Sequence, residues 1–206
     1  LREFRNVVGD MPILVVDGNS HDRTVEVAKE LGAEIAFQDG SGKGDAIAKG
    51  ISQMDARVRY VILTDADYTY PAEYIPSMIE VLEQNPQVGM VCGNRFSGEA
   101  EDNSFRRQFY LGNKMLTSAH NLLLGVTLKD PLTGLRVIRS EVLSDWKIKS
   151  KGFDIEVELN SHVAKEGYAI VEVPIRYRER LGEKKLRVRH GSTILKRMIL
   201  ESTSSL

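Results

Sequence analysis

The sequence predicts an α/β fold, a mostly parallel sheet with helices on both faces. Three observations carry this reading. Short apolar runs of strand length alternate with stretches of helical periodicity from residue 12 to residue 93. Two of the runs lead into acids, Asp17 and Asp65, at the strand ends where such sheets open their ligand clefts. The composition, 42% hydrophobic and 28% charged over 206 residues, is that of a soluble globular domain with room for a sizeable core.

The elements follow in order. Residues 12–17 form an apolar run closing on Asp17, as a buried parallel strand does. After the turn Gly18-Asn19-Ser20, Ser20 or Asp22 can cap a helix that carries Val25, Ala28 and Leu31 on one face and stops at Gly32. Residues 33–37 read as the second strand. The turn Gly40-Ser41-Gly42-Lys43-Gly44 leads to a helix with Ile47, Ile51 and Met54 in register. Residues 60–64 are the third strand and run into Asp65-Ala66-Asp67. Pro71 suits the first position of a helix that buries Ile75, Met78, Ile79 and Leu82. Residues 88–93 are the fourth strand. A polar stretch over 97–104 precedes a long helix, for which Leu111, Met115, Ala119, Leu122 and Leu123 are the expected buried stripe. The turn Asp130-Pro131-Leu132-Thr133-Gly134 feeds a strand over 135–138. A helix over 153–166, a strand over 169–174 and an amphipathic helix over 192–200 close the chain.

Composition also excludes functions. With 28 Lys and Arg against 29 Asp and Glu, the net charge is −1, and no nucleic-acid partner is expected. The one cysteine, Cys92, rules out an intrachain disulfide and a cysteine-rich zinc site, and fits a reducing, cytoplasmic compartment. No apolar run approaches the roughly 18 residues that span a bilayer. The four histidines show no metal-ligand spacing and no nucleophile triad.

Five groups of residues can carry chemistry. A D-X-D pair is often only a solvated turn. Asp65 and Asp67, behind an apolar strand and ahead of Pro71, instead suit a hard divalent cation that also takes phosphate oxygens. Gly42-Lys43-Gly44 is not a P-loop, since Phe37 and Gly44 stand where that motif needs Gly and Ser/Thr. It can present N–H groups and a lysine to phosphate, and a plain flexible loop is an equal reading. Asp130 to Arg136 sets an acid, a hydroxyl and an arginine within seven residues, where a capped turn is the alternative reading. Asp154, Glu156 and Glu158 fall in a first helical turn, where favouring the helix dipole is a sufficient role for Glu156. Finally, residues 176–197 hold nine Lys and Arg against two acids, which suits phosphates or an anionic membrane surface, a solvated basic face being the plain alternative.

Together these residues resemble the family-2 glycosyltransferases of the GT-A fold, in the dolichyl-phosphate hexose synthase group. Val15-Val16-Asp17-Gly18-Asn19-Ser20-His21-Asp22-Arg23-Thr24 is similar to the nucleotide motif, and Gly42-Lys43-Gly44-Asp45-Ala46 to the G-K-G loop. Asp65-Ala66-Asp67 resembles the metal-binding D-A-D, Gly93-Asn94-Arg95 the G-S-R, and Asp130 to Arg136 the acceptor-side motif. Pro174-Ile175 and Arg180-Leu181-Gly182-Glu183-Lys184-Lys185-Leu186 resemble the closing motif. The chain departs from the pattern at Gly18, where the family usually has an acid that often reads the base. It departs again at Thr69, where a glutamine commonly assists the metal, and at Lys184, where serine is usual.

The resemblance implies a GT-A domain over 1–190, while the amphipathic helix over 191–206 could lie on a membrane or equally pack on the domain. It implies that the family's first strand is missing, about 20 residues by the length of a strand and its turn, with residues 1–8 as the helix that follows. It implies inverting transfer of a hexosyl unit from a nucleotide sugar such as GDP-mannose or UDP-glucose to dolichyl or polyprenyl phosphate. Asp17, Asn19, Ser20, Lys43, Gly44, Asp65 and Ala66 would bind the donor, and Asp65 and Asp67 a Mg²⁺ or Mn²⁺ ion. Arg95, Arg107 and Arg136 would hold the acceptor phosphate, and Asp130 would orient the acceptor or serve as a base. The enzyme would work peripherally at the cytoplasmic membrane face. Transfer to a soluble sugar hydroxyl, nucleotidyl transfer and a catalytically dead scaffold are the alternatives; oligomeric state stays open.

Overall fold

The computed structural model describes residues 1–97, 106–181 and 190–204, with only the backbone described for 106–111. The chain begins with α1 (Arg2–Val8), β1 (Leu14–Asp17), α2 (Thr24–Glu30), β2 (Glu34–Phe37), α3 (Lys43–Ser52) and β3 (Tyr60–Leu63). After a 3-10 turn at Ala72–Tyr74 come α4 (Ile75–Gln84), β4 (Val88–Asn94), α5 (Arg106–Leu124) and β5 (Arg136–Arg139). The chain continues with α6 (Ser140–Leu143), α7 (Ile155–Lys165), β6 (Ala169–Pro174) and α8 (His190–Thr203).

The strands form a parallel pair, β1 with β2, and a four-stranded sheet in the order β3-β5-β4-β6. β4 and β6 are parallel, whereas β5 runs antiparallel to both β3 and β4. The chain thus re-enters the sheet against its main direction after α5. Periodicity marks a strand but not its direction, so the sequence does not reveal this reversal.

β4 is buried along its whole length, because helices cover both faces of the sheet. On one face Met78 and Leu82 of α4 pack with Val88, Val91, Leu135, Val137 and Ile175. On the other, Val142 and Leu143 of α6 and Leu159 and Val163 of α7 pack with Met90, Cys92 and Ile138. Each such side chain, fully buried, contributes roughly 1.5–3 kcal/mol.

A third cluster joins α5, α7 and α8 through Val157, Ile194 and Met198, with Leu116, Ala119 and Leu123 against them. The stripe expected on α5 is therefore displaced. Leu116, Ala119 and Leu123 face inward, while Met115 and Leu122 are 76% and 84% exposed. α8 is docked rather than free: Arg197 reaches Asp154 at 3.0 Å, and Lys165 reaches Glu201 at 2.8 Å. Among the described residues no helix is long and apolar enough to cross a membrane.

Candidate active site

The carboxyl end of β1 carries Asp17. Its carboxylate accepts the Ser20 N–H (2.8 Å) and hydroxyl (2.6 Å), closing the turn and placing Asn19 at φ 63°, with Asn19 and Ser20 exposed. Gly18 has a local cause. A Cβ there would stand 2.5 Å from Oε1 of Gln38, whose Nε2 donates to the Gly42 carbonyl at 2.6 Å. The amide of Gln38 thus fills the space beside Gly18 and ties the β1 turn to the glycine turn.

Gly42 and Gly44 are required by close approach. A Cβ on either would meet the carbonyl oxygen of Lys151 or Ser150 at 2.3 or 2.1 Å. The Gly44 and Asp45 N–H groups donate to that Lys151 carbonyl at 3.0 and 3.4 Å. Of the two readings of this turn, phosphate contact and a plain flexible loop, neither describes these N–H groups: the loop before α7 caps them, because α3 begins directly against it. Lys43, the first residue of α3, extends instead towards the sheet ends. Its Nζ lies 2.7 Å from Asp65 Oδ1 and 2.7 Å from Glu156 Oε1. Burial disfavours the charge on Lys43, but Glu156 and Asp65 outweigh it and raise its pKa. Burial likewise pushes Asp65 up, and Lys43, Arg180 and Arg95 more than offset it, holding the carboxyl below its ordinary range.

Asp65 and Asp67 lie just past β3, separated by the exposed Ala66. Asp67 Oδ2 pairs with Arg180 at 2.8 Å, and its Oδ1 accepts the Thr69 hydroxyl at 2.5 Å. Both carboxylates thus already hold a cationic group, which shows how strongly this spot favours positive charge. Two such oxygens suit Mg²⁺ or Mn²⁺. Among the described residues no three His, Cys, Asp or Glu converge as a metal cage. A divalent ion here would therefore draw its remaining ligands from a bound diphosphate and water. Gly134 abuts the pair: a Cβ would lie 2.5 Å from Asp65 Oδ2, and its N–H donates to the Tyr70 hydroxyl at 2.7 Å.

On the acceptor side the structure corrects three expectations. Arg95 and Asp130 do not act separately. Nε and Nη2 of Arg95 grip the carboxylate at 2.7 Å each, the Arg95 N–H adds a third bond at 3.0 Å, and Asp130 is 1% exposed. A buried carboxylate so engaged is closed to an incoming hydroxyl, and the guanidinium facing it has its Nε and Nη2 donors occupied. Arg136 too is turned to the protein interior. It is 2% exposed and donates to Thr133 O (3.0 Å), Pro131 O (2.8 Å) and Asn160 Oδ1 (2.6 Å), so it cross-links the 130–134 turn to α7. Arg107 falls in the first turn of α5; its side chain lies outside the described residues, as does the basic segment 182–189.

Sequence reasoning assigned no site role to Glu156, Tyr70, Gln38 or Tyr177. Tyr177 lies beneath Arg95 with its ring centroid 5.4 Å away, and Tyr70 meets it edge-on at 5.3 Å. Three acids in one helical turn look alike in sequence, and only the tertiary contact with Lys43 sets Glu156 apart.

This architecture defines the class. The chain has the GT-A glycosyltransferase fold: 94% of it superposes on glucosyl-3-phosphoglycerate synthase from Mycobacterium tuberculosis, covering 69% of that chain, at a TM-score of 0.73 and 17% identity. The model of glycosyl transferase family 2 matches residues 8–146, and the chain belongs to that family. It is 37% identical over 180 residues to a dolichyl-phosphate hexose transferase of Haloferax volcanii, covering 86% of this chain and 75% of the relative. It is 30% identical to the dolichol-phosphate mannosyltransferase of Pyrococcus furiosus (88% of this chain, 51% of the relative). It is also 30% identical to the undecaprenyl-phosphate mannosyltransferase of Micrococcus luteus (90% and 80%).

Proposed function

We propose that the protein transfers one hexosyl unit, with inversion, from a nucleotide sugar to dolichyl or another polyprenyl phosphate at the cytoplasmic face of a membrane. The observation that carries the choice of acceptor is the Arg95–Asp130 pair. A hydroxyl acceptor needs a base, and the acid at the acceptor-side motif is buried and gripped by the Arg95 guanidinium. A phosphate monoester, with a second pKa near ~6, is already largely a dianion at neutral pH and attacks the anomeric carbon without one. The names of the Haloferax, Pyrococcus and Micrococcus relatives support the same acceptor class.

Asp17, Asn19, Ser20, Lys43, Asp65 and Ala66 would bind the donor. A divalent cation on Asp65 and Asp67 would offset charge on the leaving diphosphate. A Mycobacterium synthase of this fold has been crystallised with Mn²⁺ and UDP-glucose. Lys43 would carry positive charge to the diphosphate from the start of α3, and Arg107 would meet the acceptor phosphate from α5. The membrane reading draws support from Leu195, Ile199 and Leu200 of α8, which are 40–50% exposed, and from the exposed Met115 and Leu122 of α5. The test is incorporation of labelled hexose into an organic-extractable product. Chelation should abolish it and Mn²⁺ or Mg²⁺ restore it, with Asp65→Ala and Asp67→Ala inactive yet folded. Full activity of either variant would defeat the metal assignment.

A further inference from the structure

Glu156 is 7% exposed on the first turn of α7. Its Oε1 holds Lys43 at 2.7 Å, and its Oε2 is buried without a hydrogen-bond partner among the described residues. A helix-dipole role does not explain this arrangement, because the side chain turns inward to the Lys43 ammonium rather than to solvent. Lys43 Nζ in turn lies 2.7 Å from Asp65 Oδ1, the acid assigned to the metal. The loop that precedes Glu156 also caps α3 through the Lys151 carbonyl. One short segment, residues 150–156, therefore fixes both the backbone and the ammonium of the glycine turn.

We propose that Glu156 is a positioning residue of the donor site. It anchors Lys43 between α7 and Asp65, and its charge sets the balance between attraction for the donor's diphosphate and attraction for the divalent cation. The proposal rests on the donor-site reading above and assigns a role in it to a residue outside the sequence motifs. Its consequence has opposite signs for the two ligands. Removing the negative charge while keeping the shape leaves Lys43 less neutralised, so a diphosphate without metal should bind more tightly. The same change leaves one fewer negative charge near Asp65, so the cation alone should bind more weakly. A unit charge at this range in a partly screened site gives effects on the order of fivefold to tenfold.

The experiment measures, on the full chain, binding of UDP and GDP without metal, and of Mn²⁺ without nucleotide. The variants are Glu156→Gln, Glu156→Asp, Lys43→Met and the Glu156→Gln/Lys43→Met double variant, with melting temperatures alongside. Glu156→Gln should tighten nucleotide and weaken Mn²⁺ binding, whereas Glu156→Asp, which keeps the charge, should keep Mn²⁺ affinity near wild type. The two substitutions should be coupled by about fivefold or more in nucleotide affinity, as expected of residues in contact. If Glu156→Gln changes only the melting temperature, or if its effects add independently to those of Lys43→Met, Glu156 is structural and the proposal fails. If the wild-type protein binds neither UDP nor GDP even with Mn²⁺, the donor-site reading itself fails and takes this inference with it.

Discussion

Replacing Arg136 with methionine should unfold the protein more readily rather than weaken acceptor binding selectively. The guanidinium makes three hydrogen bonds to protein oxygens at 2.6–3.0 Å from a side chain that is 2% exposed. Hydrogen bonds of a charged donor are each worth about 1.5–3 kcal/mol. Methionine would recover part of the packing but leave the Thr133 and Pro131 carbonyls and the Asn160 amide oxygen without this donor. Losing this buried donor from three acceptors costs on the order of 3–5 kcal/mol in all. For a domain of this size that is a fall in melting temperature of roughly 6–20 °C. Thermal unfolding followed by far-UV circular dichroism reads it directly. A melting point within about 2 °C of wild type, together with selective loss of acceptor use, would refute the structural role and return Arg136 to the phosphate site.

Three other outcomes follow from named contacts. Gly134→Ala should cut transfer by on the order of a hundredfold, because its Cβ would fall 2.5 Å from Asp65 Oδ2 and displace that carboxylate; activity within twofold of wild type in a radiochemical assay would contradict the geometry. Acid should destabilise the fold through His120, which burial pushes down to about 4 against a slight upward pull from Asn121. The unfolded chain, titrating near 6.5, binds more protons across that interval. Stability is therefore full above about 6.5 and falls as pH drops towards 4, by up to about 3 kcal/mol. His120→Gln should flatten that slope in urea titrations, and an unchanged slope would assign it elsewhere. Replacing Leu195, Ile199 and Leu200 together with serine removes apolar contact worth roughly 1 kcal/mol each and should weaken vesicle binding ten- to a hundredfold in flotation assays. Unaltered flotation would remove this face of α8 from the membrane contact.

Much of the fold is legible in the sequence because its strands are short apolar runs and several lead into residues of the site. Asp17, Asp65 and Asp67 stand out for that reason. The errors share a different cause. Arginine in a motif can grip a ligand or lock a turn, and the choice depends on burial, which a linear pattern does not carry; the motifs alone point Arg95 and Arg136 to phosphate, whereas in the fold both pair with protein oxygens. On α5 the apolar residues lie close around the helix, so periodicity alone does not tell Met115 and Leu122 from Leu116 and Leu123. Glu156 was hidden because its partner, Lys43, lies more than a hundred residues away and on another helix.

The central claim is that the acceptor is a phosphate and needs no base. The most direct test compares hexosyl transfer to polyprenyl phosphate, to the matching polyprenol and to free sugars, under one donor and saturating Mn²⁺, across pH 5 to 9. The account expects transfer to the phosphate alone, with a rate that rises through the acceptor's own second ionisation near pH ~6 and is flat above it. Comparable rates on a hydroxyl acceptor would contradict it.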